Sequence, residues 1–436
     1  MTPHTLTSGD VRHLVRRLSF AAQPRDVDEL TGLDVEAAFS ALWSRSAAFD
    51  AAPYSSEPAN LASTASLRQA WIRRLTTSPA GLRENLALFL HGLFGSSAET
   101  VDDVTALAVR NDLLHEAGMG RFGDLLERLV LDPAMMLQTG LDGHGPFRVS
   151  DRPAVLILEH WSVGAGRYEP ADVGALSSAL TGWRVERPDG NDAGAARTSV
   201  FDTSNFETGS KAILGTTGDF DAPSAVRMLA DLPATAQRVS SRLLDYLGVE
   251  DASGTAAQAM EQAWADSDGA MEAVLRAAVL SDAFWSDTSR WSLIKSPAHL
   301  AAGVCRQLEI ESPALAALDR WCDACGQRLF ETPNNGEGGW PGGRDWVTPA
   351  DRLAARYGLF GALGGQTPPA PVGDSTAAPR ALEPAIGLSA SEIIERLDAA
   401  PGLDAGSLST QARLGEGDPA ARLIAAILAT PHYQLA

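Results

Sequence analysis

The run FRVSDRPAVLILEHWSVGAGRYEPADVGALSSALTGW, Phe147 to Trp183, sets the class of the whole chain. Its first half reads as a helix. Ser150 or Asp151 can cap the first turn, and Pro153 sits where a missing N–H costs nothing. Val155, Leu156, Ile157, Leu158, Trp161 and Val163 leave it scarcely a polar side, the mark of a helix inside a core. Glu159 and His160 interrupt the pattern. A carboxylate in such a place must find a cation or hydrogen-bond donors, or take up a proton. Gly164 and Gly166 end this helix, and Pro170 opens a second through Val173, Leu176 and Leu180 to Gly182-Trp183.

On either side of that run, apolar residues recur with helical spacing. The pattern predicts helices over Asp10–Phe20, Val35–Phe49, Leu61–Leu75, Leu82–Phe94, Val101–Ala117 and Phe122–Leu131. Helices resume from Ala222 to about Leu308, with Lys295-Ser296-Pro297 a natural helix start, and again over Pro313–Cys325. Residues 389–436 return to helix and are expected to pack back on the body. Two stretches differ: 184–220, rich in Gly, Asp, Asn, Ser and Thr, reads as an irregular insertion, and 363–388 as a Pro/Ala-rich linker or surface loop. Strand signal is scarce. The expected class is mainly α, a multi-helical globular array with little β, in a single domain over 1–436.

Composition excludes several functions. With 35 basic against 55 acidic side chains the formal charge is −20, a surface that repels phosphate backbones and anionic lipid. Neither nucleic acid nor membrane is expected as a partner. No apolar run approaches the roughly 18–20 residues that span a bilayer. Arg16-Arg17 followed by Leu18-Ser19-Phe20 mimics a twin-arginine export signal, but no apolar region follows, so the cytoplasm is the expected compartment. Cys305, Cys322 and Cys325 cannot form a secreted disulfide framework.

Motifs for chemistry are few. There is no G-x-S-x-G, no P-loop and no HExxH. Cys322-Asp323-Ala324-Cys325 has thiol-pair spacing, yet nothing completes a zinc site, and two small residues three apart also share a core helix face. The glycine-rich run around Trp340 has neither the strand nor the helix that a phosphate cradle needs. No metal and no cofactor is expected. His91, beside the apolar stripe of its helix, fits a satisfied core histidine better than a ligand.

Taken together, several segments resemble the bacterial family called domain of unknown function 1800. They are RHLVRRLSFAAQP, LRENLALFLHGLF, YEPADVGALSSALTGW, GSKAILG, LPATAQRVSSRLL, VLRAAVLSDAFW, KSPAHLAAG, GQRLFETPNN, GWPGGRDW and ILATPHYQLA, in that order. The resemblance implies a helical fold without an established activity. It also shows departures. Where the family reads Trp-His-x-His-Phe, this chain has Leu90-His91-Gly92-Leu93-Phe94. Where it reads Asn-x-Ala-Arg-Glu-Leu-x-Glu-Leu, this chain runs from Arg152 to His160, with Val155 and Leu156 in place of Arg and Glu and only Glu159 kept. A His-Asp pair before the Gly-x-Lys run is here Phe206-Glu207.

The loss of several polar residues together implies a dismantled site. The resulting expectation is a divergent, non-catalytic member acting through protein or ligand binding, a protein partner being what the resemblance implies. The alternative is a hydrolase-type acid–base or metal-assisted enzyme. There His91, Glu159 and Glu207 would be catalytic, and Arg152, Lys211, Lys295, Trp183 and Trp340 would bind.

Overall fold

The apolar rod expected around Ile157 is a helix that changes its winding halfway. Arg152–Leu156 is α-helical and Ile157–Trp161 forms a π turn. An i→i+5 turn inserts one extra residue and rotates the side chains that follow. Leu156, Ile157, Leu158, Trp161 and Val163 are buried as the pattern requires, while Glu159 comes to the rim. Ser162 stabilises the widened turn by donating its hydroxyl to the Ile157 carbonyl at 2.7 Å. The computed structural model describes residues 2, 5–145, 150–187, 196–333, 339–340, 342–363, 388–398, 402–414 and 418–435. Most of the expected 363–388 loop therefore lies outside the described residues.

Of the described residues 62% are helical, and the class is mainly α. The helices that position the site are α1 (Ser8–Leu18), α2 (Thr64–Thr77), α3 (Gly81–Phe94), α4 (Val104–Ala117), α5 (Arg152–Leu156), α6 (Pro170–Ala179), α7 (Pro233–Leu247) and α8 (Pro297–Gln307). No described helix is long and apolar enough to cross a membrane. The helix expected over Val101–Ala117 breaks in two. Asp102 adopts a left-handed φ of 46° and Asp103 caps α4 by accepting the Ala106 N–H at 2.9 Å. Within 184–220 the chain forms two antiparallel hairpins: β1 (Trp183–Glu186) with β2 (Thr198–Phe201), and β3 (Lys211–Ile213) with β4 (Thr216–Gly218). The second hairpin is tied to α6 through the Leu214 N–H and the Asp172 carboxylate, 2.7 Å apart.

Burial is organised in two apolar clusters, with α3 between them. Leu82, Leu86, Phe89, Leu90 and Leu93 of α3 face the first, alongside Leu14, Ile157, Leu158 and Leu243. Leu88 faces the second, built from Tyr54, Trp71, Leu107, Val304, Trp321 and Phe330 with C-terminal Leu423, Ile424, Ile427 and Tyr433. Glu84 and His91 lie four and three residues from Leu88, on the same stripe of the helix. Each side of α3 is thus paid in different coin, hydrocarbon on one and polar contacts on the other. The CxxC pair is part of the second cluster: Cys322 and Cys325 are buried free thiols, their pKa raised by burial.

Candidate functional site

Of the residues singled out from sequence, His91 and Trp340 meet, while His91, Glu159 and Glu207 have different partners. His91 is wholly buried, with Arg110 Nη1 at 3.0 Å from Nδ1 and the Phe330 N–H at 3.2 Å from Nε2. Both neighbours are donors, and a neutral imidazole offers one lone pair, so only one of the two contacts is a full hydrogen bond. Burial, with the charges of Arg110 and His115, holds its pKa well below the usual histidine value. The Trp340 ring covers it at 5.2 Å. Glu159 has its side chain 34% exposed and accepts the Tyr168 hydroxyl at 2.8 Å. The partners named for His91 and Glu159 have no residue in common.

Glu207 is exposed at the approach to β3. Lys211 is buried, donates to the Gly209 carbonyl at 3.0 Å and lies 4.9 Å above the Phe206 ring. Lys295 is also buried, donating to the Tyr433 carbonyl at 2.8 Å. Arg152 ties α5 to the Gln138 carbonyl at 2.7 Å. Trp183 packs on Phe201 beside a small hollow of about 110 Å³. Among the described residues no group of three or more His, Cys, Asp or Glu side chains is placed to hold a metal ion.

A larger cleft opens elsewhere, of about 360 Å³, within the range that holds small organic molecules. One wall is α3, through Leu88, Phe89, Gly92 and Leu93. Opposite stand Arg242, Asp245 and Tyr246 of α7, then Ser296 and His299 at the start of α8, with Gln327 beside them. Trp340 and Trp346 close one side. Close backbone approach sets Trp340 in place: a Cβ on Gly339 would lie 2.1 Å from the Gly92 carbonyl oxygen, and Gly339 has a φ of +72°. Of the side chains singled out from sequence, Trp340 lines this cleft. So does Leu93, the position where relatives carry a second histidine.

Behind the cleft runs a hydrogen-bond chain whose direction is decided at every link. Asn85 of α3 donates through Nδ2 to the Arg17 carbonyl at 3.1 Å, so its Oδ1 is the acceptor. That oxygen takes the Tyr246 hydroxyl at 2.8 Å and faces His299 Nε2 at 2.9 Å. Nε2 therefore carries the hydrogen and Nδ1 the lone pair. Ser296 Oγ lies 2.8 Å from that lone pair. Burial, with the charges of Lys295 and Arg17, lowers the His299 pKa to about 3, and the ring is neutral. Gln327, which lines the cleft, accepts the Ala298 N–H through Oε1 at 2.8 Å and keeps its amide nitrogen as a donor. Sequence reasoning used Ser296 only as a helix start. The signal that could have found the chain is Asn85, a short polar residue between Leu82, Leu86 and Phe89 of its helix.

A family model described as a protein of unknown function (DUF1800) matches residues 13–141 and 157–435. The break in that match includes Arg152–Leu156, where the chain departs from the family pattern. No curated protein and no solved structure matches.

Proposed function

The chain belongs to the DUF1800 family, which brings no activity with it, and we propose from the cleft that it acts by binding a small organic molecule. The observation that carries this reading is the mixed lining of one cavity. Phe89, Leu93, Trp340 and Trp346 offer an apolar body, while Arg242, Asp245, Ser296 and Gln327 offer a few placed polar groups. Pockets of that make-up bind by burying an apolar body and fixing its orientation through few hydrogen bonds. The dry replacements at Val155 and Leu156 belong to a different part of the molecule and do not line it. A protein partner remains a proposal that rests on the family resemblance. The cytoplasm is the proposed compartment, supported by three cysteines held as free thiols.

The test is ligand-observed NMR with a library of aromatic and aliphatic fragments, on the wild type and on Gly92→Leu. A Cβ at Gly92 meets only Trp340 Cε3, at 3.9 Å, and the change improves helix propensity by up to about 1 kcal/mol. Fragments that bind the wild type and lose binding to the plugged variant support the proposal. Equal binding to both variants removes it.

A further inference from the structure

Resting on the cleft as a ligand site, we infer that Ser296 is an acyl-accepting nucleophile, with His299 as its base and Asn85 as the residue positioning that base. The ligand class is then a carboxylic ester. Three segments far apart in sequence converge on this arrangement: Asn85 from α3, Tyr246 from α7, and Ser296 with His299 from α8. It has the form of a hydroxyl, a neutral imidazole that can take its proton, and a third group that fixes the imidazole tautomer. The ring is turned relative to the familiar serine triad, since Nδ1 rather than Nε2 faces the hydroxyl.

Helix capping explains part of this geometry but not all of it. Ser296 Oγ accepts the His299 N–H at 3.3 Å, as an N-cap should. A hydroxyl has one hydrogen and two lone pairs, so it caps the helix and still donates to Nδ1. The cap itself calls for neither an imidazole nor Asn85 behind it. Both Ser296 and His299 also line the cleft, which a cap does not require.

The chemistry balances with an ester and water. Ser296 Oγ forms a bond to the ester carbonyl carbon while its proton passes to His299 Nδ1. Negative charge develops on the carbonyl oxygen, where the Gln327 amide is the available donor. The bond to the alcohol oxygen breaks, the alcohol leaves with the proton from Nδ1, and an acyl-serine remains. Water then attacks the acyl carbon, gives a proton to Nδ1 and releases the acid, and Ser296 recovers its hydrogen. The imidazolium is opposed by burial, Lys295 and Arg17 and gains no charge stabilisation from an asparagine in place of a carboxylate, so turnover is slow and activated esters are the substrates to try.

The experiment uses the full chain, a fluorophosphonate probe and p-nitrophenyl butyrate, with peptide mapping by mass spectrometry. The expected result is one adduct on Ser296, absent in Ser296→Ala and slowed at least tenfold in His299→Gln, whose amide can still donate to Asn85. Asn85→Ala should slow labelling, and Asn85→Asp, which keeps the acceptor for His299 Nε2 but loses the donor to the Arg17 carbonyl, should restore labelling without restoring the Tm, a split that a merely structural asparagine would not show. Circular dichroism confirms that each variant is folded. Labelling elsewhere, or labelling of Ser296 unaffected by His299→Gln, overturns the inference. If fragments bind the cleft by NMR and no adduct forms, the acyl-transfer inference falls and the binding reading stands.

Discussion

His299 Nε2 and Asn85 Oδ1 lie 2.9 Å apart although 214 residues separate them in the chain. The contact joins α3 to α8, and Tyr246 adds α7 to the same oxygen.

Asn85→Ala should therefore cost more than an ordinary surface change. It strips the partner from the Arg17 carbonyl and the His299 Nε2–H, and leaves the Tyr246 hydroxyl only its 3.2 Å bond to the backbone carbonyl of residue 85. A buried group left unsatisfied costs about 1–3 kcal/mol, so a total on the order of 3 kcal/mol is expected. Urea unfolding measures it, and a loss below about 1 kcal/mol would show that these bonds do not hold the helices together.

Asp132 lies in the opposite regime. Burial raises its pKa to about 6, against the pull of the Met135 N–H and Arg110. A carboxyl raised in the folded state adds stability below its unfolded value near 4 and loses it as pH rises through about 6. Asp132→Asn keeps an acceptor for the Met135 N–H, now at 3.0 Å, and removes the charge. The variant should be more stable than wild type at pH 7, by up to about 3 kcal/mol. That gap should close between pH 6 and pH 4, read as the difference in Tm. A gap that does not change with pH contradicts the account.

Three of the eight histidines should stay neutral at pH 5. Burial, with Arg16 and Arg17, lowers His13 to about 2; burial, with Lys295 and Arg17, lowers His299 to about 3; and His91 is lowered well below the usual value. Long-range proton–nitrogen spectra distinguish the neutral ring from the cation. The sign for stability follows: below about pH 6.5 only the unfolded chain takes these protons, so each ring destabilises the fold as pH falls. Titration of all eight near pH 6.5 would mean that these rings are solvated.

Gly339→Ala should loosen the Trp340 wall. The added Cβ meets the Gly92 carbonyl oxygen at 2.1 Å, and a left-handed backbone costs a residue with a side chain about 1–2 kcal/mol. The expected outcome is a lower Tm, shifted tryptophan emission and loss of fragment binding in the cleft. Unchanged values on all three would detach Trp340 from the cleft.

The sequence by itself determined the class and the helices, because apolar spacing and capping residues act within a few positions. Leu82 to Phe94 is helical as its stripe requires, and Pro153, Pro170 and Pro297 each sit in the first turn of a helix. It also singled out Trp340, whose ring lines the cleft. Tertiary structure decided which polar residues meet. Glu159 looked buried because its neighbours are apolar, but it lies in the π turn with its side chain 34% exposed. Asn85, Tyr246 and His299 show no mutual spacing in the chain, since a hydrogen bond across 214 residues is created only when three helices pack. Local order is written in short-range periodicity; the site depends on long-range contacts, which periodicity does not encode.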